Sequence, residues 1–124
     1  MPREATDSLS VQLKKGTLAM LVLQLLKQED MYGYQIAVEL DRRSDGLLNL
    51  ADTSLYGVLY RLIKAGYISS EKEESVKRAR VFYHLEPSGE EHLRHLIREY
   101  RTIQKGIEMI FEQSSKEESE GDES

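Results

Sequence analysis

A chain of 124 residues holds one domain's worth of sequence, enough for a single modest hydrophobic core. With 31% charged residues and only two prolines it reads as mostly helical, and the absence of cysteine excludes disulfides, thiol nucleophiles and thiolate metal sites. The net charge of −5 argues against an anionic partner only until it is located: from Glu112 onward six acids face Lys116 alone, so this tail holds the whole excess and residues 1–111 balance.

No apolar run approaches the roughly 18 residues a membrane span needs, and no leader pattern opens the chain, so a cytoplasmic location is expected. Residues 1–8 (MPREATDS) lack periodicity and read as a flexible arm. From Leu9 an amphipathic helix builds, with Leu18, Leu21, Val22, Leu25 and Leu26 at helical spacing and Met20 and Leu23 widening the apolar surface. Lys14, Lys15 and Thr17 stand near its start, where cations oppose the helix dipole. They suit backbone phosphates of an external anion; a solvated helix end is the plain alternative.

Gln28-Glu29-Asp30 ends this helix, and Met31-Tyr32-Gly33-Tyr34 opens a second, which buries Ile36, Ala37 and Leu40. Ser44-Asp45-Gly46 breaks it, and Leu47, Leu48 and Leu50 run toward a third helix, predicted over 53–65. There Leu55, Leu59 and Leu62, flanked by Val58 and Ile63, form a stripe built for burial. The other face carries Thr53, Ser54, Gly57, Tyr60, Arg61 and Lys64, with no carboxylate after Asp52. Hydroxyls and cations donate to phosphate oxygens and base edges, and nothing on this face repels them. Tyr56 lies at the edge of the buried stripe, so core packing competes with an exposed role.

Gly66 sits where a left-handed residue closes the helix. Tyr67-Ile68 and Val81-Phe82-Tyr83 favour strands, and the polar stretch between them closes on Lys77, Arg78 and Arg80, giving a hairpin with a basic tip. Two short helices, a third with a polar face, and this ribbon make a winged helix-turn-helix.

After Pro87, Leu93, Leu96, Tyr100, Ile103, Ile107 and Ile110 recur at alternating steps of three and four, a heptad series. So narrow a stripe suits pairing with a second copy; packing on the same chain is the alternative. The expected fold is therefore mostly α with a small β wing. Residues 1–8 form the arm, 9–85 the winged helix-turn-helix, 86–113 a dimerisation helix and 114–124 a disordered acidic tail. His92 and His95 lie a turn apart beside Glu91 and Glu99 but lack a third strong ligand, so a solvated face is expected rather than a metal site. His84 reads as structural. No phosphate-cradling glycine loop or nucleophile–base set is present, so neither a cofactor nor an enzyme is expected.

The pieces resemble the PadR family of bacterial winged-helix transcriptional regulators over about Leu13 to Phe111. The resemblance rests on Lys15-Gly16-Thr17-Leu18, Tyr32-Gly33-Tyr34-Gln35-Ile36, Ser54-Leu55-Tyr56 with Leu59 and Leu62, Gly66-Tyr67-Ile68, Arg80 through Leu85, and Gly89. Where the family commonly has Ser-Pro-Gly-Thr leading into Leu-Tyr-Pro, this chain has Ala51-Asp52-Thr53-Ser54 and then Gly57, so Asp52 is expected to replace the lost serine cap. The resemblance implies a homodimer on a palindromic DNA operator, usually a repressor. It further implies release by a phenolic or other hydrophobic aromatic effector bound between the first and last helices. Leu13, Thr17, Leu96, Tyr100 and Ile103 are its candidate contacts, although a heptad tyrosine also serves interface packing. A winged helix that pairs with protein instead of DNA is the competing reading.

Overall fold

The structure, a computed structural model, describes residues 8–50, 54–75 and 78–123. Its elements in order are α1 (Leu9–Gln28), β1 (Met31–Tyr32), α2 (Gly33–Arg43), α3 (Leu55–Lys64), β2 (Ile68–Ser75), β3 (Arg78–Leu85) and α4 (Pro87–Glu123). By internal contacts the chain divides into two compact units, Met1–Leu93 and Arg94–Ser124.

In the first unit α1 starts at Ser8, whose hydroxyl accepts the Val11 N–H at 3.2 Å. Leu18, Val22, Leu25 and Leu26 form its buried stripe, with Leu23 also buried. Contrary to the sequence expectation, α1 is long and apolar enough to cross a membrane by length and composition. The residues that give it this character include the largest contributors to the core of the first unit, the use to which a winged helix puts its first helix.

β1 was not foreseen. Met31 and Tyr32 pair with Tyr83 and Phe82 of β3, so the expected hairpin becomes a three-stranded antiparallel sheet of order β1-β3-β2. Two residues are too few to display an alternating pattern. The Tyr32 N–H then donates to Gln35 Oε1 at 2.8 Å, which holds the start of α2. Ile36 and Leu40 face the core, and Ser44 ends the helix by donating its hydroxyl to the Leu40 carbonyl and accepting the Leu48 N–H. Asp45 and Gly46 follow with positive φ. Leu47 does not lead into a helix core; it is 79% exposed.

α3 is shorter than the predicted 53–65, and its cap corrects the reading from the family pattern. The Ser54 hydroxyl accepts the Gly57 N–H at 3.3 Å, so serine has not been lost as the cap. Asp52, expected in that role, and Thr53 lie outside the described residues. At the other end the Gly66 N–H reaches Ile63 O at 2.9 Å and the Tyr67 N–H reaches Leu62 O at 3.0 Å, with Gly66 at φ 82°. These two bonds are a Schellman closure, as Gly66 foretold. The ribbon is longer than its apolar residues suggested, because β2 and β3 pair in register from Ile68↔Leu85 to Ser75↔Arg78.

At the ribbon's base, His84 Nδ1 lies 2.8 Å from Asp30 Oδ1, and this hydrogen bond raises the imidazole above its usual range. A raised folded pKa means the pair stabilises the protein fully below the unfolded histidine value. The contribution fades as pH climbs through the folded one. Both side chains are well exposed. Asp30→Asn is therefore expected to remove under about 1 kcal/mol below about pH 6 and almost nothing at about pH 8.5, read from paired thermal melts.

The first turns of α4 belong to this unit. Ser88 Oγ donates to Gly66 O at 2.7 Å, the His92 ring stacks on Tyr67 with centroids 4.1 Å apart, and Leu93 is 1% exposed. In the second unit α4 does not stop near Gln113. It continues to Glu123, so the tail expected to be disordered is helical in backbone. Lysine and glutamate are good helix formers, and extending an existing helix avoids the unfavourable nucleation step.

Candidate nucleic-acid interface

The buried stripe of α3 (Leu55, Val58, Leu59 and Leu62) fixes which way the helix turns. Tyr56 and Tyr60, each 62% exposed, stand outward with Ser54, Arg61 and Lys64. The Lys64 ammonium lies 5.5 Å over the Tyr60 ring, an arrangement that holds the cation without neutralising it. A Cβ added at Gly57 would meet Ser54 Oγ at 3.4 Å and Arg61 Nη1 at 3.7 Å, so the glycine leaves a bare patch between a hydroxyl and a guanidinium. No carboxylate lies within Leu55–Lys64. Tyr56 resolves as neither core nor free. Its ring lies across the start of α2, 3.1 Å from where a Cβ on Gly33 would stand, while most of it meets solvent.

In the wing, Arg80 is exposed and its guanidinium lies 5.4 Å over the ring of Tyr32. The backbone of Arg78 opens β3, and Lys77 lies outside the described residues. The cluster around Arg80 was not read from the sequence. Tyr32 donates its hydroxyl to Glu73 Oε1 at 2.7 Å, packs on Phe82 at 4.8 Å and stacks with Tyr34 at 6.0 Å. These residues are far apart in sequence, and only the strand register joins them.

Of the α1 candidates, Lys15 is exposed. Lys14 corrects its expected role: it is 9% exposed, one turn ahead of Leu18 on the buried stripe, and so is not displayed to a phosphate. Thr17 is half-buried and donates its hydroxyl to Leu13 O at 2.6 Å, which leaves only its lone pairs. Along α4, Leu93 is buried in the first unit. In the second unit Leu96 is half-buried, and Tyr100, Ile103, Ile107 and Ile110 are 43–64% exposed with Met109 and Phe111 beside them. Of the effector candidates, Leu13 is 57% exposed in the first unit, while Tyr100 and Ile103 are exposed in the second. His95 pairs with Glu99 at 3.1 Å.

A helix-turn-helix whose third helix shows an acid-free polar face, followed by a stranded wing, defines the winged-helix class of DNA-binding regulators. The model of the transcriptional regulator PadR-like family matches residues 22–95, and the chain belongs to that family. A transcriptional regulator from Clostridium thermocellum is similar in structure, with TM-score 0.73 and 31% identity over 77% of this chain and 94% of that one. A PadR family transcriptional regulator from Eggerthella lenta gives TM-score 0.75 and 26% identity, covering 87% of this chain and 93% of that one. An uncharacterized protein of Lysinibacillus sphaericus is 27% identical over 99 residues, 79% of this chain and 91% of its own length.

Proposed function

We propose that the protein is a cytoplasmic repressor that binds a palindromic operator as a homodimer and is released by a small hydrophobic or aromatic effector. Residues 9–85 are the DNA-binding part and 86–113 the pairing helix. The observation that carries DNA binding is the carboxylate-free outer face of α3, with Ser54, Tyr56, Tyr60, Arg61 and Lys64 displayed together. Thr53, Lys15, Lys77, Arg78 and Arg80 complete the proposed contacts, those of the wing and α1 being to phosphates. Pairing is supported by the exposed apolar seam of α4, since such a stripe rarely stays in water. A two-fold axis then presents two α3 helices about 34 Å apart, one turn of DNA.

Leu13, Thr17, Leu96, Tyr100 and Ile103 are the proposed effector contacts; an effector acts only by binding the DNA-competent and released arrangements unequally. The test is a gel shift against the DNA upstream of the protein's own gene. Arg61→Ala is expected to weaken that complex about tenfold and relax base preference, as loss of a base-edge contact does. Lys64→Ala should weaken all sequences alike and lower the salt slope by roughly 0.9. A slope untouched by Lys64→Ala and a complex untouched by Arg61→Ala would remove α3 from the interface.

A further inference from the structure

The ribbon register places Arg80 directly opposite Glu73. Opposite charges at such a position ordinarily meet, because directly facing side chains stand about 5 Å apart. Here they do not: among the described residues no ion pair joins Arg80 to Glu73. The Glu73 carboxylate accepts the Tyr32 hydroxyl at 2.7 Å, and the Arg80 guanidinium lies over the face of the same ring. Tyr32 is itself held three ways, by pairing with Phe82 across β1 and β3, by the tilted Phe82 ring and by the stacked Tyr34 ring.

We infer that Tyr32 is a positioning residue for DNA binding: its phenol occupies Glu73 and its ring carries Arg80, so the guanidinium stays available to a backbone phosphate. A carboxylate that paired with Arg80 would take up to two of its five N–H donors and cancel its charge. A ring face beneath the guanidinium takes none of the in-plane donors and leaves the charge intact. β1 consists of only Met31 and Tyr32, and what it brings to the wing is this side chain. The inference rests on the proposal that Arg80 meets phosphate, and the experiment separates the two.

The probe is a fluorescently labelled duplex of mixed sequence, titrated at several low salt concentrations. Arg80→Ala is expected to lower the salt slope by roughly 0.9, the signature of one phosphate contact. Tyr32→Phe keeps the ring and frees Glu73 to take Arg80, so it should reproduce that loss of slope with about a three- to tenfold weaker complex. Tyr32→Phe/Glu73→Gln removes the competing charge and should restore both. Tyr32→Phe placed on Arg80→Ala should add nothing. If Arg80→Ala leaves the slope unchanged, the wing contact itself fails and the inference with it. If Arg80→Ala lowers the slope while Tyr32→Phe binds like wild type, the wing stands and the role of Tyr32 is overturned. A Tyr32→Phe defect that Glu73→Gln does not repair also overturns it, because a purely structural loss is indifferent to that charge. Circular dichroism melts of each variant establish that the folded protein is being titrated.

Discussion

Ile103→Asp/Ile107→Asp is expected to leave the protein monomeric in sedimentation at micromolar concentration and to weaken binding to the proposed operator by about two to four orders of magnitude. Ile103 is 64% and Ile107 46% exposed in the single chain, at successive seam positions of α4. Covering an isoleucine completely is worth about 1.5–3 kcal/mol, and each substitution acts twice in a symmetric pair. Scaled to the area still exposed in the single chain, the loss is about 3–7 kcal/mol before the desolvation of the aspartates is added, against about 8–12 kcal/mol for a micromolar to nanomolar dimer. The effect on DNA follows because the second half-site is reached at high effective concentration only while the copies are joined. Both substitutions lie in the second compact unit, so the melting of the first should persist and distinguish loss of pairing from loss of fold. A variant that remains dimeric would move the interface elsewhere, with the exposed Leu9 and Leu13 of α1 as the next apolar candidates.

What the sequence disclosed followed from how local each signal is. The stripes of α1, α2 and α3 repeat within a few residues, and Leu18, Val22, Ile36, Leu59 and Leu62 lie buried where periodicity puts them. Gly66 was readable because its φ of 82° suits glycine far better than any residue with a side chain. The α3 cap was misread because Asp52, Thr53 and Ser54 are all competent cap residues in a row, and propensity does not choose among neighbours. Lys14 was misplaced for a different reason: a lysine near a helix start was read by its charge, although it stands four residues before Leu18 on the same face. The polar face of α3 was legible as an absence of carboxylates within one short window. The surroundings of Arg80 were not, because Tyr32 and Glu73 are 41 residues apart and only pairing in the sheet brings them together.

Gly89→Ala should be the most damaging single-methyl change in the first unit. Gly89 lies in the first turn of α4, and a Cβ there would stand 2.0 Å from the Tyr67 carbonyl oxygen, 2.9 Å from its carbon and 2.7 Å from Leu85 Cδ1. The leucine can rotate; the carbonyl cannot easily yield, because it accepts the Glu86 N–H at 3.0 Å and follows the Schellman closure of α3. Relief requires α4 to lift away from Tyr67, which breaks the Ser88–Gly66 hydrogen bond, unstacks His92 and uncovers Leu93. Overpacking with backbone displacement costs about 3 kcal/mol, which lowers the melting temperature by on the order of 10–20 °C for a unit of this size. The control is Gly106→Ala, where nothing lies within 4 Å of the added methyl. There the better helix propensity of alanine should stabilise α4 by up to about 1 kcal/mol. If Gly89→Ala instead melts like the parent, the start of α4 is not held against Tyr67. The packing of Ser88, His92 and Leu93 in the first unit would then contribute little to its stability.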